Sequence, residues 1–106
     1  MKIINVANVN DLYTAVNDVA NTGKRIVLAP GIYPLGPNLV NAGRLELQQD
    51  MHLQGQPGDA SLVTIDESGL PDLSFSIPPF KTGGIRIGKG SNKIEWLTVA
   101  ALQAMS

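Results

Sequence analysis

The chain contains no cysteine among its 106 residues, and that absence removes disulfides, thiolate metal sites and thiol catalysis together. It leaves the redox compartment open. Neither charge is in excess: eight Lys and Arg stand against nine Asp and Glu, for a formal net charge of −1. A general nucleic-acid binder is therefore not expected, because phosphate neutralisation needs a clear surplus of Lys and Arg. No apolar run approaches the length of a membrane span, and the opening "MKIINVANVND" has neither a sustained apolar region nor a cleavage pattern. The start is that of a cytoplasmic protein, or of one whose export signal has been removed. Also missing is any Asn-Gly or Asp-Gly pair between two alternating runs, which disfavours two-residue hairpins and, with them, an antiparallel meander.

What is present is 43% hydrophobic residues, enough for one domain with a core, near the lower end of comfortable sizes. In "NDLYTAVNDVANT", residues 10–22, Leu12, Ala15, Val16, Val19 and Ala20 fall on one helical face. Asn8 or Asn10 can cap the start, Asp11 suits the positive end of the dipole and Gly23 suits the left-handed C′ position. The spacing predicts a helix over 10–22 whose Leu12, Val16 and Val19 face covers the hydrophobic end of the strand-forming chain beyond Gly23. From residue 24 the pattern changes to short pieces between Gly, Pro and Asn: "RIVLA", "IYPL", "RLELQ", "MHLQG", "LVTID", "GIRIG" and "KIEWLTV". Period-two alternation, as in Leu45 and Leu47 around Glu46, or Ile85 and Ile87 around Arg86, marks half-buried strands.

Within "RIVLAPGIYPL", residues 25–35, Ala29-Pro30-Gly31 divides two apolar runs, which makes either a hairpin or a corner. Recurrence decides for the corner. "RIVLAPG" at 25–31, "DMHLQGQPG" at 50–58 and "NKIEWLTV" at 92–99 are similar in character at a spacing suited to stacked repeats. A consistent winding has three strands per turn: 26–28, 32–35 and 44–47, then 51–54, 62–65 and 85–87, with 93–99 opening a third. Residues 67–84, "ESGLPDLSFSIPPFKTGG", are the inserted external loop, since Pro71, Pro78 and Pro79 cannot donate ladder hydrogen bonds.

This ordered series, a helix ending near Gly23 and then "RIVLAPGIYPL", "LELQQDMHLQG", "VTID" and "GGIRIGKGSNKIEWLTV", resembles the beginning of a right-handed parallel β-helix of the pectate-lyase-like superfamily. The likeness covers nearly the whole chain. It implies a mainly β fold, a parallel β-helix solenoid of about two to three coils with an N-terminal capping α-helix. The single domain, 1–106, divides into an N-terminal strand and capping helix at 1–23 and the first coils at 24–106. The resemblance further implies a piece of a longer, secreted or periplasmic protein that acts on acidic polysaccharide as a lyase or hydrolase, with no complete active site here. The alternative is a noncatalytic carbohydrate-binding or structural scaffold. Fold alone does not choose between them.

Candidate site residues are few. From Leu45 to Phe80 there are six acids and no Lys or Arg, and Lys81, Arg86, Lys89 and Lys93 come after them. One reading is an acidic calcium-binding face beside a basic strip for uronate carboxylates; the plainer one is the charged exterior of a β-helix, and it takes precedence. Asp66 and Glu67 are the candidate metal ligands, although adjacent strand residues point to opposite faces and the pair reads better as ending the strand and capping a turn. Calcium belongs, on this reading, to the longer parent; this chain needs no cofactor. His52 has no Ser or Cys constellation around it and reads as an outward strand residue. "IGKGSNK" lacks the third glycine and the helix of a dinucleotide fingerprint, so it reads as a corner. Arg44, Arg86, Lys89 and Trp96 remain as candidate substrate contacts, with Arg44 and Arg86 the first cations to substitute. The expected partners are polysaccharide and a second copy of the chain joined through the C-terminal strand edge, with neither nucleic acid nor membrane.

Overall fold

Parallel pairing dominates the molecule. The computed structural model describes residues 2–36, 43–68 and 85–100, and is mainly β. Strand β1 (Ile3–Val6) precedes helix α1 (Val9–Val16) and a 3-10 turn at Val19–Asn21, with another 3-10 turn at Ala60–Leu62 before the sixth strand. Then come β2 (Arg25–Leu28), β3 (Gly31–Pro34), β4 (Leu45–Glu46), β5 (His52–Gln54), β6 (Val63–Asp66), β7 (Ile85–Arg86), β8 (Lys93–Glu95) and β9 (Thr98–Ala100). They form three sheets: a first of order β1-β2-β5-β8, a second of order β3-β6-β9 and a third of order β4-β7. Every pairing is parallel. From β2 onward the chain visits first, second and third sheet in that fixed order, as the recurrence of strand-like pieces predicts. Residues 69–84, which hold most of the expected external loop, lie outside the described residues.

Alternation carries sequence into packing. Ile26, Leu28, Tyr33, Leu35, Leu45, Leu47, Met51, Leu53, Val63 and Ile65 point between the sheets and are buried, while most of their neighbours in the chain face out, Arg44 and Gln48 being buried exceptions. In register the interior stacks like with like: Ile26 on Leu53 and Leu53 on Ile94, Tyr33 on Ile65 and Ile65 on Val99. Two buried tyrosines close gaps in this stack with their hydroxyls satisfied. Tyr13 donates to the Gly43 carbonyl and Tyr33 to the Ala29 carbonyl at 2.6 Å. Burial pushes both phenols above their ordinary value; at Tyr13 it outweighs the backbone at Gly36 and the charge of Arg44, which act the other way.

The helix is shorter than its apolar spacing predicts. Asn8 caps it, accepting from the Asp11 N–H at 2.8 Å, but it ends at Val16 rather than at residue 22. Two side chains intervene. Asn17 turns its amide to the chain entering β4, donating to the Arg44 carbonyl and accepting from the Glu46 N–H, and Asp18 accepts from Ala20 to start the 3-10 turn. Asn21 and Gln48 then donate to the terminal carbonyls of Ala15 and Val16. Leu12, Tyr13, Ala15 and Val16 are buried against β1, β2 and β4, whereas Val19 is 73% exposed. The covering face is thus Leu12 and Val16 without Val19.

The strand expected over 93–99 is broken in two. Trp96 adopts a left-handed φ of 57°, turning the chain from the first sheet to the second between β8 and β9. Its carbonyl accepts from the Gln56 N–H, and the Glu95 carbonyl accepts from the Gly55 N–H, so this corner sits on the Gly55 corner beneath it. Another corner is closed by Asn92, whose Oδ1 accepts from the Gly88 and Lys89 N–H groups and whose Nδ2 donates to the Gln48 and Met51 carbonyls.

Candidate functional site

Outward positions are where alternation leaves charge, and two sheets carry it differently. On the third sheet Glu46 lies in register with Arg86, and the Lys89 ammonium meets the Glu46 carboxylate at 2.9 Å. The hydrogen bond from Lys89 and then its charge hold that carboxyl below the usual range, with a smaller contribution from Arg86. Two of the sequence's candidate contacts, Arg86 and Lys89, therefore do share a face, arranged around an acid.

The others are elsewhere. Arg44 is only 8% exposed, packed beneath α1 where its carbonyl accepts from Asn17. Trp96 is 44% exposed at the corner between the first and second sheets. Asp66 and Glu67 end β6: the Asp66 carboxylate accepts from both the Ser68 N–H at 2.9 Å and its hydroxyl at 2.7 Å, and the Glu67 N–H bonds to the Ala100 carbonyl. This is the turn-capping arrangement. No group of three or more His, Asp or Glu side chains gathers as metal ligands would among the described residues. A shallow groove of about 280 Å³ between β1 and α1 holds Asp11, whose carboxylate accepts from the Asn8 amide at 3.0 Å, and Asp18, which caps the 3-10 turn.

On the first sheet one outward column carries two cations, Arg25 and Lys93, with an imidazole between them. Arg25, His52 and Lys93 occupy directly opposite positions on β2, β5 and β8, the inward neighbours being Ile26, Leu53 and Ile94. Beside them runs a second outward row of Val27, Gln54 and Glu95, continued by Asn5 on β1. Lys93 reaches Glu95 at 3.6 Å. The Nε of Arg25 and the Nδ1 of His52 are shut off from solvent and have no hydrogen-bond partner. Sequence alone hides this alignment, because the three residues are far apart at unequal intervals and only the strand register unites them. The signal that was available is the recurrence of the strand-like pieces.

No protein-family model, curated protein or solved structure matches the chain. Chemically, the first sheet offers two permanent cations and an imidazole in line.

Proposed function

We propose that the chain is the N-terminal cap and opening coils of a right-handed parallel β-helix of the pectate-lyase-like kind, part of a longer protein acting on acidic polysaccharide as a lyase or hydrolase. The observation that carries this reading is the difference between the two ends of the interior stack. At one end β1 and α1 lie over the first round of strands, and Leu12, Val16 and Ile26 are fully buried. At the other, Ile94 and Val99 point inward from β8 and β9 yet remain 36% and 45% exposed, while Leu53 and Ile65 directly beneath them are fully buried. A cap closes one end; the other is built to receive another rung. In the isolated chain that rung comes from a second copy.

Sedimentation over a concentration series tests this. The chain associates, and Val99→Lys, which places a charge on the open end, abolishes association; a wild-type monomer at every concentration would overturn the reading. The dispersal of Arg44, Trp96 and the Arg86–Lys89 pair over separate parts of the molecule favours a second reading, a noncatalytic carbohydrate-binding scaffold. Unsaturated or reducing products released from uronate polymers by the longer protein, and not by this chain, select the enzyme.

A further inference from the structure

We infer that the outer edge of β1, with the groove between it and α1, is a docking site for an extended segment of another polypeptide that carries Lys or Arg at alternate positions. Among the described residues β1 pairs with β2 alone. The Arg25 N–H bonds to the Lys2 carbonyl and the Ala29 N–H to the Val6 carbonyl, so the alternation of a parallel ladder turns the peptide groups of Ile4 and Val6 to β2 and those of Ile3 and Asn5 away from it. Ile3 and Asn5 are both exposed. An unpaired row of N–H and C=O groups is a template for a further strand. Ile3–Val6 holds neither proline nor charge, and its register runs without a bulge. Three of the devices that blunt a sheet edge are therefore missing from this one.

The groove selects the occupant. Its apolar lining is Ile4, Val6 and Ala15 and its charged lining is Asp11 and Asp18, with no Lys or Arg among the described residues. Asp11 engages one carboxylate oxygen with the Asn8 amide and Asp18 one with the Ala20 N–H. The second oxygen of each is placed to accept from a cation. A strand added to β1 sends alternate side chains towards α1, as β1 does with Ile4 and Val6, so Lys or Arg at those positions meets the acids while the main chain bonds to Ile3 and Asn5. The open edge of a second copy matches less well, because β8 turns Ile94 inward and keeps Lys93 outside against Glu95. The site is independent of the proposed action on polysaccharide.

The test is fluorescence anisotropy of a short labelled peptide of alternating Lys and Thr, added to the intact chain at low ionic strength. The same peptide with Glu in place of Lys, and the Lys peptide N-methylated at every residue, are the comparisons. The Lys peptide binds and the other two do not. Asp11→Asn with Asp18→Asn, which keeps both side-chain acceptors, weakens binding by about tenfold or more. Asn5→Pro, which removes an N–H that β2 does not use, does the same. Glu46→Gln, which removes an acid from the third sheet, changes it little. Circular dichroism confirms that the variants are folded. No binding of the Lys peptide, equal binding of its N-methylated form, or wild-type affinity in the Asp11 and Asp18 double variant would each overturn the proposal. Loss of self-association in Asn5→Pro would overturn it as well, by giving the groove to a second copy. Val99→Lys, at the opposite end, leaves peptide binding unchanged, so failure here and failure of the β-helix reading are told apart.

Discussion

Gly55 has to be small because of where Trp96 bends. A methyl group at position 55 would lie 1.9 Å from the Trp96 carbonyl oxygen, and that oxygen is fixed in turn by its bond from the Gln56 N–H. Neither partner can yield without parting the two corners. Gly55→Ala is expected to destabilise by about 1–3 kcal/mol or more, as forced overpacking does, seen as a lower denaturation midpoint at unchanged slope. Gly36→Ala is the control: among the described residues nothing lies within 4 Å of its added methyl, and the change should be neutral or stabilising by up to about 1 kcal/mol. Equal midpoints for the two variants would mean that the corners at Gly55 and Trp96 are not stacked in solution.

Among the elements, α1 separates what side-chain spacing predicts from what packing decides. Val16 and Val19 belong to the same apolar stripe, yet Val16 is fully buried and Val19 points to solvent. Val16→Asp should therefore cost several kcal/mol by burying an unpaired charge, whereas Val19→Asp should shift the melting temperature little; equal effects would restore the longer helix. The strands from Arg25 to Arg86 were legible because period-two alternation and Gly or Pro corners are local marks. The helix end was not, since it depends on the Asn17 amide finding β4, nearly thirty residues away. The Trp96 corner was equally hidden: a left-handed tryptophan in an apolar run has no local signature, and only the round beneath imposes it. The same holds for the candidate site. Arg86 and Lys89 are neighbours in sequence and were found together, but the line of Arg25, His52 and Lys93 exists only through register.

For the molecule as a whole, the two buried tyrosines set an alkaline limit. Their phenols are harder to ionise in the folded chain than in the unfolded one, so the folded state holds more protons once the pH passes the ordinary phenol value of about 10. Their contribution to stability is complete below that pH and is lost as the pH rises through the raised values. The denaturation midpoint should be flat from about pH 8 to 9.5 and fall beyond it, and Tyr33→Phe should make the fall shallower; an unchanged alkaline slope in that variant would show that its phenol is not protected. The parallel ladders carry a different consequence. In the first sheet each strand after β1 takes its partner from chain that came before it, Arg25 from Ile3, His52 from Arg25 and Lys93 from His52, as β6, β9 and β7 do in the other two sheets. Refolding from denaturant must close every one of these long loops and is correspondingly slow. On the ribosome the template for each rung has already emerged when the rung itself appears, so the direction of synthesis is also the direction of assembly.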